Sequence, residues 1–335
     1  MLLQPGILAL ITGSGITLVL LSFAALLAVK ILKSWDISSN SEEQLDLERK
    51  TYLISVLVKY GLMFEVISLF LFIYTADDIH SLLVGAMCAT GSLNANPYGF
   101  PALYARIAVV FLSASWIAIN HIDNKAEDYP LTRMKYMLLL FIIPFVFTGY
   151  FLQMKYFLRI DPNVITSCCG VLFSEGGTGA GSSLASLPLR ETRAAFYVIS
   201  SVMIISGFFA ARYNRRPLNL FLSFVSVLFL VVSIASIISF ISLYFYQLPS
   251  HHCPFDVLQS GYYYAGYPLY VSLFSAGFFG MIAGVVEPFR KISSLSEVIP
   301  KLQKRWALIS ACSALIFVII TLIPVVFLPF TLEGY

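Results

Sequence analysis

Residues 217–246, PLNLFLSFVSVLFLVVSIASIISFISLYFY, run for thirty residues without one charged side chain. About 20 helical residues cross a bilayer core of roughly 30 Å, so this stretch spans with length left to tilt or to emerge above the surface. Working outward, seven further apolar stretches are long enough to cross: 6–32, 52–75, 101–120, 135–155, 194–211, 267–286 and 306–329. Charged residues make up 12% of the chain, apolar residues 59%, and the mean hydropathy is +0.84. A soluble domain carries about a quarter charged residues, so a soluble globular composition is excluded. The two-residue alternation of a membrane barrel is absent. A backbone in lipid must satisfy its own hydrogen bonds, so the spans are expected to be helices. The fold class is all-α: a polytopic membrane protein of about eight transmembrane helices.

Lysine and arginine set the expected orientation. The segments 30–50, 121–135, 212–216 and 287–305 hold fifteen of them, and the opposite connections hold four: Lys155, Arg159, Arg190 and Arg193. By the positive-inside bias both termini are extracytoplasmic. The first span lacks a basic residue before its apolar run, and Lys30 and Lys33 follow it, which is not the layout of a cleaved signal peptide. The net charge of +3 therefore reflects topology and lipid headgroups, with no nucleic-acid partner. The segment 36–50 is expected to be a short surface helix leading into span two. The location implied is a cell membrane, of the bacterial inner-membrane kind.

Two connections resemble each other. Cys88 lies 13 residues before Pro101 in Gly99-Phe100-Pro101, and Cys253 lies 15 before Pro268 in Gly266-Tyr267-Pro268. Each step opens a span, and proline suits a first helical turn. The expectation is two parallel four-helix repeats, residues 1–155 and 194–335, joined by an extracytoplasmic loop over 156–193. That loop carries Glu175-Gly176-Gly177-Thr178-Gly179-Ala180-Gly181. No strand precedes these glycines and no Lys-Ser/Thr follows, so they form a linker and bind no nucleotide.

Cys88, Cys168, Cys169 and Cys253 all fall on the extracytoplasmic side, with His80, His251 and His252. Outside the cytoplasm thiols tend to oxidise, so structural disulfides are the plain reading, with Cys88 and Cys253 a candidate bridge between the halves. The adjacent Cys168 and Cys169 suit redox or metal chemistry better than a quiet staple. The densest cluster is His251-His252-Cys253-Pro254-Phe255-Asp256, a Cys-x-x-Cys frame with Asp256 in place of the second thiol. All four cysteines are candidates for thiol–disulfide exchange. His251, His252, Cys253 and His80 are candidate ligands for copper or zinc. Asp77 and Asp78 could add to an outer cation site. Cys312, inside the last span, is a small buried apolar residue. Intrinsic heme is disfavoured, because no histidine lies within a span and no Cys-x-x-Cys-His occurs.

Glu65 and Arg106 lie well inside apolar spans, whereas Lys59 is nearer the cytoplasmic end of span two and can snorkel. Glu65 is near the middle of span two, and Arg106 of span three is its expected partner. Such groups face the bundle interior, as interhelical glue, as a proton or ion relay, or as a quinone contact. Tyr267 belongs to a dense outer set with Tyr262, Tyr263, Tyr264 and Tyr270, an aromatic belt that could also frame a quinone entrance. With Glu65 and Arg106 it is a candidate cofactor contact.

In layout, four outer cysteines on a helical bundle, the chain is similar to bacterial membrane disulfide oxidases that reduce quinone. It has twice the spans and no intact Cys-x-x-Cys, so the resemblance implies a class of chemistry and carries over no residues. The leading expectation is a membrane component of a redox assembly, exchanging electrons with other membrane or periplasmic subunits. A transporter with Glu65 on its pathway and a non-catalytic scaffold with structural disulfides are the alternatives. No segment is large enough to bind ATP.

Overall fold

The computed structural model describes residues 3–35, 41–166 and 180–332. Among them there is no strand. Eight helices are long and apolar enough to cross a membrane: α1 Pro5–Ser34, α2 Glu42–Asp78, α3 Gly99–Asp123, α4 Thr132–Leu158, α5 Leu189–Tyr213, α6 Arg216–Tyr246, α7 Gly266–Val285 and α8 Val298–Phe327. Their outward side chains include Phe23, Leu26, Ile67, Phe224 and Val231, all well exposed. Helices studded this way with large apolar groups need hydrocarbon around them rather than water. All eight expected spans are present. Helix α2 begins ten residues before the expected 52, because the expected surface helix is its first turns, with Glu42 and Glu43 at the N-terminus and a Lys50–Asp46 pair one turn apart. Helix α8 likewise starts at Val298, and α3 runs on to Asp123, taking His121 into its last turn.

Internal contacts divide the chain into two compact units. The first comprises Met1–Thr75, Leu93–Asp161 and Lys291–Val298. In it α4 packs on α1 and on α3, around a core that includes Leu21, Ala28, Leu62, Val109, Trp116, Leu139 and Ile142. In lipid, helices associate through close packing and polar contacts more than through the hydrophobic effect. One such contact closes the α3–α4 connection. Asp123, fully buried, accepts from Leu131 N at 2.8 Å and Thr132 Oγ1 at 3.1 Å, and pairs with Lys135 Nζ at 2.7 Å. A charge count treats Lys135 as a solvated topology marker. It is instead 1% exposed, because a carboxylate and Asn120 Oδ1 at 3.2 Å meet its ammonium.

The second unit comprises Ala76–Ser92, Pro162–Arg290 and Ile299–Tyr335. Here α6 packs on both α5 and α7. Gly280 and Gly284 of α7 let the α6 backbone and its serines approach. A Cβ at Gly280 would overlap Ser226 Oγ, and one at Gly284 would overlap Ser223. Helix α5 ends at Asn214, left-handed at φ 45°, a conformation asparagine tolerates at a helix end. Its amide donates to Pro300 O at 2.8 Å. Buried Glu287 accepts from Asn219 Nδ2 at 3.0 Å and Gln303 Nε2 at 2.6 Å.

Candidate functional site

Helix α6 is not regular to its end. Residues Ile237–Ile241 form a π-helical turn. Such a turn displaces backbone carbonyls from the helical ladder and is common near functional positions. The Ile238 carbonyl accepts from His252 Nδ1 at 2.8 Å, which fixes the proton on that nitrogen. The helix stops at Gln247, left-handed at φ 54°, and the chain turns into His251–Asp256.

Two tyrosines hold that turn. Tyr246 OH donates to Cys253 O at 2.6 Å and accepts from Val257 N at 2.9 Å. Tyr270 OH, from α7, donates to Pro254 O at 2.6 Å. A tyrosine hydroxyl both donates and accepts, so Tyr246 satisfies two buried backbone groups at once. The segment carrying Cys88 is braced in turn by Asp77, whose Oδ1 accepts from Ala89 N and from Gln259 Nε2, each at 3.1 Å. Gln259 also donates to Met87 O at 3.0 Å.

These restraints bring Cys88 and Cys253, 165 residues apart in sequence, to an Sγ–Sγ distance of 3.6 Å. Both are fully buried. Cys253 Sγ donates to Asp256 Oδ1 at 3.2 Å, accepts from Phe255 N at 3.4 Å and lies 3.3 Å from Thr90 Oγ1. The other carboxylate oxygen of Asp256 meets His251 Nε2 at 2.5 Å. Burial pushes the Asp256 carboxyl above its usual range, and the hydrogen bond to Asp256 raises His251. His251 is more exposed than Asp256, so the order from inside to outside is thiol, carboxylate, imidazole. Every one of these residues belongs to the second unit.

The two candidate thiols Cys88 and Cys253 therefore meet, while Cys168 and Cys169 lie outside the described residues, and Cys312, expected to be buried, is exposed on the outer face of α8. Of the candidate metal ligands, Cys253 is in the cluster and His251 touches it through Asp256. His252 turns one nitrogen to Ile238, and His80 Nδ1 bonds to the Asp77 carbonyl. Asp77 itself is spent on bracing the Cys88 segment. The donor atoms that converge on one point are those of Cys88, Cys253 and Asp256. Asp256 gains its place there from its three-residue spacing to Cys253 across a tight turn.

Glu65 and Arg106 pair as expected, with Arg106 Nη1 3.7 Å from Glu65 Oε2 in the first unit. Tyr267 stands in the first turn of α7, its ring 6.3 Å from that of Tyr264. Sequence reasoning missed the Asp123–Lys135 pair and the Glu287–Asn219–Gln303 network. It also missed the buried polar side chains Gln153 and Tyr156 of α4.

Among the described residues, eight helices long and apolar enough to cross a bilayer define the class: a multi-pass helical membrane protein. Comparison with family models, with curated proteins and with solved structures gives no match.

Proposed function

We propose that this protein is a membrane component of a redox system in which Cys88 and Cys253 cycle between dithiol and disulfide. The observation that supports the reading is the buried contact of these two thiols beside a carboxylate. In the forward step the Cys253 thiol gives its proton to Asp256, and its sulfur attacks a disulfide of an extracytoplasmic partner. A mixed disulfide forms and one partner thiol leaves. Cys88 then displaces the second partner thiol, so two electrons and two protons pass to the partner and the Cys88–Cys253 bond closes. Met87, next to Cys88 in the chain, is 69% exposed, so the segment that carries Cys88 comes to the surface of the protein. In the reverse direction a partner dithiol reduces the Cys88–Cys253 disulfide, and the dithiol so formed passes two electrons and two protons to a membrane quinone, giving quinol; the partner and the quinone are part of this proposal.

The same reading places both termini and the cysteine segments on the extracytoplasmic side of a bacterial inner membrane, on the lysine and arginine distribution. It also takes the chain as a four-plus-four repeat. Within the first unit Arg133 Nη2 donates at 2.7 Å to the carbonyl of Trp35, which caps α1. Within the second, Arg290 Nη1 donates at 3.2 Å to the carbonyl of Asn214, which caps α5. A carboxylate at or just beyond the end of the third helix of each half, Asp123 or Glu287, meets a long side chain of the fourth, Lys135 or Gln303. Both correspondences support a duplicated frame.

A second reading rests on distance. Sulfur atoms on one tetrahedral zinc with Zn–S bonds of about 2.3 Å stand about 3.8 Å apart. The Cys88–Cys253 and Cys253–Asp256 separations, 3.6 and 3.2 Å, are close to that scale. The soft thiolates favour zinc or copper, and the carboxylate oxygen favours zinc of the two.

Differential alkylation with peptide mapping, paired with metal analysis of the purified protein, separates the two. Reversible loss of both thiols on oxidation without bound metal supports exchange. Stoichiometric zinc that protects both thiols overturns it in favour of the metal site.

A further inference from the structure

The first unit encloses polar atoms deep within its helices that no described residue satisfies. Arg106 donates through Nη1 to Ser68 Oγ at 2.5 Å and through Nη2 to Ser14 Oγ at 3.2 Å, but its Nε–H has no acceptor. Glu65 Oε2 receives Ser68 at 3.4 Å and the Ser14 hydroxyl also reaches the carboxyl, while Oε1 meets no donor in hydrogen-bonding geometry. Gln153 on α4, fully buried, leaves both ends of its amide unpartnered, and so does the equally buried Tyr156 hydroxyl.

The side chains that carry these atoms are linked through shared packing neighbours. The Phe72 ring lies 5.2 Å from the Arg106 guanidinium carbon and 5.8 Å from the Tyr156 ring. Gln153 is one turn from Gly149, which faces Ala105 and Val109 on either side of Arg106. Helices α1 to α4 thus all reach the same depth, through Ser14, Glu65 with Ser68, Arg106, and Gln153 with Tyr156. The unsatisfied set mixes donors (Arg106 Nε, Gln153 Nε2, Tyr156 OH) with acceptors (Glu65 Oε1, Gln153 Oε1). An anion would leave the acceptors unmet and a cation the donors. Water meets both, and buried water with two to four partners is the usual occupant of such places.

We propose that the first unit holds a hydrated proton-exchange site, with ordered water linking Glu65 Oε1 to Gln153 and Tyr156, and Glu65 as the group that takes up and releases the proton. In hydrocarbon these polar ends have no other source of hydrogen bonds, and an intramembrane carboxyl beside water is where a proton is held or passed on. The groups that meet the Glu65 carboxyl are Arg106 on α3, Ser68 on α2 and Ser14 on α1, and from α4 Tyr156 lies across the Phe72 ring. Release moves one proton from the Glu65 carboxyl to the adjoining water, leaving a carboxylate that Arg106 stabilises.

The test uses the full chain in lipid nanodiscs. X-ray radiolysis converts bound water to hydroxyl radicals, and mass spectrometry maps the oxidised side chains. Phe72 and Tyr156 are expected to be oxidised although fully buried, whereas Trp116 and Tyr136, whose polar atoms bond to Lys135 O and Ser55 Oγ, stay protected. A hydrophobic carbodiimide is expected to label Glu65 more as pH falls, and Glu65→Gln removes the label while the radiolytic pattern persists. Protection of Phe72 and Tyr156 to the level of Trp116 overturns the proposal, as does a Glu65 that takes no label at any pH. A stoichiometric lipid-soluble molecule in the organic extract, lost in Gln153→Leu, overturns it too, because the groups then serve that molecule and not water.

Discussion

Lys135 Nζ stands 2.7 Å from Asp123 Oδ2, and both side chains are essentially sealed from solvent. Removing one partner of a buried pair strands a charge and costs about 3–5 kcal/mol, whereas replacing both by apolar groups is often neutral. Lys135→Met alone is therefore expected to lower unfolding free energy by about 4 kcal/mol. The double variant with Asp123→Asn, whose side-chain oxygen can still accept from Leu131 N, removes the stranded charge and recovers most of the loss, in denaturant titrations of the detergent-solubilised protein. A single variant as stable as wild type contradicts the burial.

Arg133 and Arg290 each donate to the carbonyl that caps a helix end. A hydrogen bond from a charged donor contributes about 1.5–3 kcal/mol, less where solvent competes. Arg133→Gln and Arg290→Gln are each expected to cost about 1 kcal/mol in thermal or denaturant unfolding. Similar losses fit a duplicated frame, and a loss at one site alone does not.

Gly280 has no room for a methyl group, since its Cβ would overlap Ser226 Oγ and crowd Ser310 Oγ. Overpacking of this kind costs about 1–3 kcal/mol. Gly280→Ala should lower the melting temperature clearly. Gly261→Ala, with nothing within 4 Å of the added atom, should leave it nearly unchanged. Equal effects would mean that α6 and α7 are not in close contact at Gly280.

Tyr246 OH serves two buried backbone groups, Cys253 O and Val257 N. Tyr246→Phe leaves both unsatisfied, at about 1–3 kcal/mol for such a group. It is expected to destabilise the protein by about 2 kcal/mol and to speed alkylation of reduced Cys253, because the turn that buries the thiol loosens. Unchanged alkylation would mean that Tyr246 does not hold the turn.

Much of this fold was legible in sequence because the bilayer dictates it. A thirty-residue run without charge has few alternatives to a helix. The ends were less legible, since Glu42–Lys50 and Val298–Arg305 are polar and nothing local says whether a helix continues through them. The Glu65–Arg106 pair could be read because each lies too deep in its apolar stretch to reach the interface, whereas Lys59 in the same stretch as Glu65 is near the cytoplasmic end. Cys88 and Cys253 could be matched by their places before a Gly-aromatic-Pro step. Lys135 could not be read, since a lysine near a span end looks the same solvated or paired. The placement of His252 depends on a π-turn that periodicity does not reveal. Gln153 and Tyr156 carry no charge, so their burial without partners emerges only from packing.

The central claim is that Cys88 and Cys253 form one two-electron couple. Equilibrating the intact protein in a series of thiol–disulfide buffers, then counting both thiols by alkylation and peptide mass spectrometry, tests it most directly. The account predicts that the two thiols vanish together along one curve of two-electron steepness, about 30 mV per tenfold change, and return on reduction. Both cysteines remaining alkylatable thiols across the whole range, or titrating independently of each other, would contradict it.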